Sequence, residues 1–465
     1  MRRTSKPLTF LIAFGDILSV NAAFFGTFWL KFGGDIPGEN LQPFLNLIPW
    51  ISLAALGSLW LFDLYGWPLK RFREILNGII WGSVVTSLAT TVLAFVSYGF
   101  AFPRTVLFGS VITQIIVLST WRFSLVFFKR RLQEKKNIII VGLNGDAEEI
   151  AAKFLAYHGR DYVVQAVYEA KDIYLVIQKI SETAAVCFGS KVPNDIKETA
   201  IIRCIEEGKE VFLLPELYEI LLQNAKLSQI GDLPLFQIEG LPLSGAEAPG
   251  KRFLDLVLAL TGSVVLVLLT PIIGLAIFLS SPGPIFYVQN RVGQNGKIFG
   301  LIKFRTMVDH AEKKTGPVLA GKKDPRITVV GRILRATRLD ELPQLVNVIK
   351  GEMSFVGPRP ERPFFVEQFA EEIPEYKHRL KLKPGITGLA QVLGNYNTTP
   401  RDKLRYDLMY IRNYSLLLDL QIVFQTLRVV LMPEKARGVS GTSEEILRQI
   451  SALKHHNAGA VPARR

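Results

Sequence analysis

Arg338-Leu339-Asp340-Glu341-Leu342-Pro343-Gln344-Leu345 decides how the rest of this chain is read. Proline is tolerated in the first turn of a helix and breaks it further in, so Pro343 dates a helix start to about Asp340. Leu342, Leu345, Val346 and Ile349 then recur at helical spacing. Two adjacent carboxylates therefore stand at a helix N-terminus, facing the positive end of its dipole. Taken alone, Asp340 is an N-cap and Glu341 a first-turn acid. The surroundings argue for chemistry instead. Arg332, Arg335 and Arg338 come just before, and Arg359 follows in Gly357-Pro358-Arg359-Pro360. Prolines on both sides restrict the backbone there and hold the direction of a guanidinium, which suits bidentate recognition of phosphate. A solvated basic face accounts for Arg332 better than for Arg359. An aspartate can attack a phosphoryl centre to give an acyl phosphate, and Mg²⁺ bridging a diphosphate would offset the repulsion between two anions.

On the N-terminal side lies Phe253–Leu279, where Asp255 is the only charged residue. About 27 helical residues reach ~40 Å, enough to span a bilayer core. Yet Lys251 and Arg252 precede the segment and Arg291, Lys297, Lys303 and Arg305 follow it, so both ends favour the cytoplasm. Thr270-Pro271 sits in its second half, where proline removes a helical hydrogen bond. The freed carbonyl needs a partner, and the Thr270 hydroxyl stands beside the break. These features predict a re-entrant helix at about 251–280 in place of a straight fifth span.

Four earlier apolar blocks, Leu8–Phe32, Phe44–Trp67, Ile75–Phe102 and Val106–Phe128, each exceed the roughly 20 residues that cross a bilayer. Asp35 and Glu39 follow the first block, Lys70, Arg71 and Arg73 the second, Arg104 the third, and Lys129-Arg130-Arg131 with Lys135-Lys136 the fourth. This alternation predicts a four-helix bundle with both ends cytoplasmic. Asp16, inside the first helix, is either a functional group or a carboxyl paired within the bundle. Asn137–Ser244 changes character. Asn137-Ile138-Ile139-Ile140-Val141-Gly142 reads as a buried strand, Asp146–Leu155 has helical spacing, and Ala184–Phe188 and Glu210–Leu214 are further apolar runs. Such alternation predicts a small parallel-sheet domain. Gly142-Leu143-Asn144-Gly145 resembles the start of a dinucleotide fingerprint, but Glu148 takes the third glycine position, so a structural or oligomerising domain is expected. Leu241–Gly250 reads as a linker.

The totals agree with this division. The 465 residues are 49% apolar and carry a net charge of +14. In a membrane protein a basic excess first indicates cytoplasmic flanks and anionic lipid, then an anionic substrate. No basic-aromatic repeat or finger spacing points to nucleic acid. Cys187 and Cys204 lack any CxxC or Cys/His spacing, which argues against a zinc site or a disulfide framework. A metal here would be a hard ion, Mg²⁺ or alternatively Mn²⁺, held by carboxylate and phosphate oxygens.

From about Lys251 onward the chain resembles the bacterial sugar transferase family, the monotopic polyprenyl-phosphate glycosyl-1-phosphate transferases. The resemblance rests on KRFLD at 251–255, Thr270-Pro271, Phe286–Arg291, KFRTM at 303–307, DELPQL at 340–345, GEMSFVGPRP at 351–360, KPGITGLAQV at 383–392 and LLLDL at 416–420. It implies the large form: a membrane α-helical bundle at 1–132, an α/β Rossmann-like (CoA-binding-like) cytoplasmic domain at 133–245, and an α-rich monotopic catalytic domain at 246–465 with the re-entrant membrane helix. It further implies transfer of a sugar-1-phosphate from a UDP-sugar to undecaprenyl phosphate, with release of UMP. The setting would be the cytoplasmic face of the bacterial inner membrane, at the first membrane step of exopolysaccharide, capsule or O-antigen assembly. On this resemblance Asp340 is the nucleophile and a Mg²⁺ ligand, and Glu341 assists by positioning or proton handling. Arg335 and Arg359 match phosphate-binding arginines, Lys303 matches a basic position, and Arg305, Pro358 and Gln391 complete the substrate-binding candidates. Thr270-Pro271 matches the break of the re-entrant helix, and a homodimer through the middle domain is implied by the larger relatives. An arginine that many members carry after Gln391-Val392 is missing, with Leu393-Gly394-Asn395 in its place. Arg401 and Arg405 are the candidates to substitute for it. Leu404–Met432 reads as helices lying in the membrane interface or as ordinary core helices, and Glu434–Arg465 as a disordered tail. A membrane-anchored nucleotide-sugar dehydratase or epimerase would need an intact GxGxxG and a YxxxK pair, and both are absent. A non-catalytic scaffold for polysaccharide assembly leaves the Asp-Glu and Pro-Arg-Pro signatures without a purpose.

Overall fold

The computed structural model describes residues 6–62, 64–65, 72–99, 102–132, 135–143, 145–158, 161–223, 225–238, 240, 247–309, 324–394 and 398–431. Lys70, Arg71, Asn144, residues 241–246 of the expected linker, Asn395 and the tail Glu434–Arg465 lie outside the described residues. Contacts divide the chain into two compact units, Met1–Leu214 and Pro215–Ser440, so the division falls ahead of the linker expected at Leu241–Gly250.

The first unit begins with four long helices, α1 (Lys6–Phe32), α2 (Gly38–Leu61), α3 (Phe72–Tyr98) and α4 (Arg104–Leu132). Each holds a segment long and apolar enough to cross a membrane. Val20, Phe24, Phe28, Phe44, Ile51, Leu59 and Ile79 form their shared core, while Phe10, Leu30, Leu88 and Phe108 are exposed. Apolar exposure of this kind suits lipid, which solvates it without cost. Asp16 is fully buried, and Arg122 of α4 donates to it through Nε at 2.9 Å and through a second nitrogen. Arg122 also donates to the Leu64 carbonyl at 2.8 Å. Asp16 is thus the paired carboxyl of the bundle, because an ionised group in hydrocarbon is tolerated only with a partner.

The unit continues with β1 (Lys136–Gly142), α5 (Asp146–His158), β2 (Tyr162–Glu169), α6 (Ile173–Lys179), β3 (Ala185–Phe188), α7 (Asn194–Glu206) and β4 (Glu210–Leu213). The four strands form a parallel sheet in the order β2-β1-β3-β4. Ile139 and Val141 enter one core cluster and Ile138 and Ile140 another, so β1 is buried on both faces. That is why its sequence is an unbroken apolar run. At Gly142 a Cβ would stand 2.4 Å from the Ala147 amide nitrogen, so the residue permits close strand-to-helix packing.

The second unit starts with α8 (Leu217–Leu222) and the hairpin β5 (Lys226–Ile230) and β6 (Leu233–Gln237). The helix α9 (Glu247–Ser280) follows, then the antiparallel hairpin β7 (Phe286–Val292) and β8 (Ile298–Phe304). After α10 (Val329–Thr337) and α11 (Gln344–Lys350) come β9 (Ser354–Val356), α12 (Pro363–Glu372), β10 (Gly385–Thr387), α13 (Leu389–Leu393), α14 (Pro400–Arg412) and α15 (Leu416–Leu431). Ala259, Leu266, Ile273 and Ile277 of α9 pack on Leu301, Phe304, Leu334, Leu345 and Val348. The other side of α9 exposes Phe253, Val267, Leu268 and Leu279, and its segment Pro249–Ser280 is long and apolar enough to span. Pro271 lies inside α9, and the Thr270 hydroxyl donates to the Leu266 carbonyl at 2.7 Å. The sequence reading directed that hydroxyl to the carbonyl freed by the proline, which belongs to Val267. The structure sends it one residue earlier, as an i−4 bond that a threonine makes within its own helix. α14 is a core helix, with Leu404, Leu408, Tyr410 and Ile411 buried, whereas α15 buries Ile422 and Val423 and exposes Leu416, Leu417 and Leu427.

Candidate active site

The carboxylate pair is positioned by two helices and a hairpin. Thr328 caps α10, its hydroxyl accepting from the Gly331 amide at 2.9 Å. Arg338 ends that helix in the left-handed region, with φ 58°, and turns the chain into a short 3₁₀ turn at Leu339–Glu341. A non-glycine residue held at positive φ is uncommon and marks a backbone fixed by its surroundings. The α-helix then begins at Gln344, beyond Pro343. The carboxylates accordingly sit in the turn ahead of α11 and not at its first residues, as the proline had suggested. The side chain of Asn347 on α11 accepts from the Ile302 amide at 3.1 Å and donates to the Gly300 carbonyl at 2.8 Å. These bonds fasten β8 to α11 and set Lys303 beside the turn.

Glu341 gathers the cations. Arg359 donates to its Oε1 at 2.8 Å, Lys303 Nζ lies 3.7 Å from the same oxygen, and Arg338 lies 3.9 Å from Oε2. Burial works to raise the Glu341 carboxyl, but Arg359, Lys303 and Arg338 outweigh it and hold it at about 2. Burial pulls the Lys303 ammonium down to about 8, against the attraction of Glu341. Asp340 behaves in the opposite way. Among the described residues its carboxylate makes no hydrogen bond or ion pair, and burial together with the neighbouring Glu341 charge pushes it up to about 6. One carboxylate of the pair is therefore tied to cations and ionised, while the other is unbound.

Arg359 is aimed by its backbone. Gly357 and Gly385 face each other where β9 and β10 pair, with the Gly357 amide donating to the Thr387 carbonyl and the Gly385 amide to the Pro358 carbonyl. A Cβ on Gly385 would lie 2.1 Å from the Gly357 nitrogen, so only a residue without one allows this approach. Arg379, itself paired with buried Asp407 at 2.8 Å, donates to the Arg359 carbonyl at 2.9 Å. Arg291 donates to the Pro360 carbonyl at 3.0 Å. Lys251 bonds the Val356 carbonyl and Asp419, and Asp255 accepts from Ser354 and the Phe355 amide, which holds α9 against β9.

The remaining expected residues divide. Arg335 stays with the site: its Nε donates to the Thr306 hydroxyl at 2.9 Å, and its charge acts on Asp340. Arg305 is buried and donates to the Ser281 and Pro282 carbonyls, so it closes the C-terminal end of α9. Pro358 contributes its carbonyl to the glycine contact, and Gln391 donates to the Ile386 carbonyl at 2.9 Å. Arg401 pairs with Glu216, and Arg405 bonds Asp402 and the Pro215 carbonyl. Both guanidinia hold the segment leading into α8, and Asn395 itself lies outside the described residues. Sequence reasoning passed over Thr306, Arg291 and Arg379 as site residues. Their only local signal was a hydroxyl or guanidinium inside or beside a dense motif, and their partners are far away in the chain.

Among the described residues no group of three His, Cys, Asp or Glu side chains is placed to hold a metal ion. Mg²⁺ commonly binds through one or two carboxylates plus substrate phosphates, with waters completing its shell. The unbound Asp340 carboxylate fits that mode, with substrate oxygens completing the donor set.

A family model described as bacterial sugar transferase matches residues 246–433. The chain is 38% identical over 243 residues to the UDP-N-acetylgalactosamine-undecaprenyl-phosphate N-acetylgalactosaminephosphotransferase of Aeromonas hydrophila, covering 52% of this chain and 56% of that relative. It is 37% identical over 275 residues to the UDP-glucose:undecaprenyl-phosphate glucose-1-phosphate transferase of Escherichia coli (strain K12), covering 56% of each. A protein with the same description from Klebsiella pneumoniae is 31% identical over 387 residues, covering 80% of this chain and 78% of that relative. The chain thus spans little more than half the length of the first two and over three quarters of the third.

Proposed function

The chain belongs to the bacterial sugar transferase family, and on that premise we propose that it transfers a sugar-1-phosphate from a UDP-sugar to undecaprenyl phosphate, releasing UMP. The observation that supports this most is the asymmetry of the pair: Asp340 is unbound beside a Glu341 that is fixed by three cations. In the first step an Asp340 oxygen attacks the phosphorus that bears the sugar. A P–O bond forms, the bond from that phosphorus to the bridging oxygen breaks, and UMP leaves with the electron pair. In the second step a phosphate oxygen of undecaprenyl phosphate attacks the acyl phosphate, and the Asp340 carboxylate is released as the diphosphate forms.

Glu341 acts by position. Held at about 2 it stays ionised at neutral pH and has no proton to give, but it fixes the directions of Arg359 and Lys303. Those two cations, with Arg335, meet the charge that builds on the phosphate oxygens and on the departing UMP. Mg²⁺, when bound with the diphosphate, supplies further neutralisation between the two phosphates. Basic residues on both flanks of α9 support a site at the cytoplasmic face of the inner membrane, an α9 that enters and leaves on one side, and a Rossmann-like cytoplasmic role for the parallel-sheet domain.

Purified full-length protein with undecaprenyl phosphate and Mg²⁺ is the test, using a panel of UDP-sugars and UMP release as the readout. UMP appears with a particular sugar, and Asp340→Asn lowers the rate by roughly 10³-fold or more. Donor alone, quenched and weighed intact, adds the mass of one phosphosugar to the wild type and not to the variant. Undiminished turnover in Asp340→Asn would remove the residue as nucleophile.

A further inference from the structure

A depression of about 440 Å³ opens between β7 and the start of α12. Its walls include Tyr287, Gln289 and Asn290 on the strand and Arg362 and Phe364 on the other side. None of the reaction steps above uses it. We propose that this depression is the nucleoside subsite of the donor, taking the uracil and ribose of a UDP-sugar. The inference rests on the proposed reaction and deepens it.

Both walls lead directly from the cations of the site. Tyr287 is the register partner of Lys303 across the β7–β8 ladder. Directly opposed residues share a face, with their Cβ atoms roughly 5 Å apart. Lys303 Nζ in turn lies 3.7 Å from Glu341. On the opposite wall Arg362 and Phe364 follow Arg359 by three and five residues, past the Pro360 carbonyl that Arg291 holds. Arg291 also donates to the Gln289 side-chain oxygen at 2.7 Å, joining the strand wall to the same arginine. A nucleoside diphosphate laid with its sugar-bearing phosphate at Asp340 would therefore extend into this space.

The lining chemistry fits the same occupant. Two aromatic side chains of the lining, Tyr287 and Phe364, are 42% and 57% exposed, and aromatic rings of this kind stack on a flat heterocycle. Amides at Gln289 and Asn290 can both donate to and accept from the edge of uracil or the ribose hydroxyls. Arg362 supplies a positive charge to the lining, and among the described residues no carboxylate lines the space, which favours an anionic ligand over a cation. The volume falls within the range typical of small-molecule sites.

The experiment uses UMP as the probe, titrated calorimetrically into the full-length protein in detergent, beside Asn290→Ala, Phe364→Ala and the double variant. Both side chains are exposed, and unchanged thermal midpoints will confirm that the variants are folded. Loss of the ring lowers UMP affinity about tenfold, and the double variant more. In turnover the donor KM rises in parallel, while the KM for undecaprenyl phosphate and kcat at saturating donor stay put. Unchanged UMP affinity in folded variants, or a rise confined to the KM for undecaprenyl phosphate, would overturn the subsite. Wild-type protein that binds UMP through these residues but releases none from any UDP-sugar would overturn the reaction and leave the subsite standing.

Discussion

Two glycine turns follow short strands in this molecule and carry opposite charge. Gly142 closes β1 and is followed by Asp146, whose Oδ2 is buried without a hydrogen-bond partner among the described residues and would lie 2.3 Å from a Cβ on Gly189. Gly357 closes β9 and is followed by Arg359, whose guanidinium is fixed on Glu341 and whose carbonyl is held by Arg379. The backbone device is the same, a glycine that lets two segments approach closely. What differs is the charge delivered at the turn. A carboxylate at the first repels phosphate, whereas a held guanidinium at the second attracts it. Fold analogy to nucleotide-binding proteins would have favoured the first turn, and site chemistry favours the second.

That contrast can be broken at several strengths. Arg359→Lys keeps the charge but loses the planar fork, and kcat/KM for the UDP-sugar should fall by roughly 10²-fold. Near-normal turnover there would mean that charge alone suffices at the second turn. Asp407→Asn acts one step further back. It leaves Arg379 charged and less well paired in the core, so stability should drop by about 3 kcal/mol and turnover about tenfold, through loss of the hold on Arg359. Asp407→Glu should restore part of both, and unchanged UMP affinity in either variant separates positioning from binding.

A smaller effect tests the unbound carboxylate without any turnover. Asp340 is raised to about 6 from 3.8, so folding favours its protonated form. That contribution is complete below about pH 4 and is lost as pH rises through about 6. In metal-free buffer Asp340→Asn should therefore outlast the wild type at pH 8 by roughly 1 kcal/mol, with the gap closing near pH 4. A gap that widens toward acid would reverse the assignment. The smallest effect is expected at the first turn: Asp146→Ala should leave turnover within about twofold of wild type. A large loss would give the parallel-sheet domain a role in the chemistry.

Much of this was legible in the sequence because it depends on neighbours in the chain. The four apolar blocks, the buried β1 run and the strands at Ala185–Phe188 and Glu210–Leu213 follow from length and periodicity. β2 lacked so clear a signal, since Gln165 interrupts it and Val163 is 41% exposed at the edge of the sheet. Asp340, Glu341 and Arg359 were found as a dense local pattern. Arg305 was equally dense in its motif, yet its donors are taken up by Ser281 and Pro282.

By itself the sequence determined the element types, the membrane character, and the set of charged groups available for chemistry, since composition and short-range spacing suffice for these. Only the tertiary structure decided which carboxylate is bound and which is not. Arg359 and Lys303 reach Glu341 from 18 and 38 residues away, and Asp407 holds Arg379 from 28 residues further on. Pairings at that range depend on where β8, β9 and α14 pack. The local pattern Asp-Glu is compatible with either carboxylate being the bound one, and burial beside specific cations breaks the symmetry.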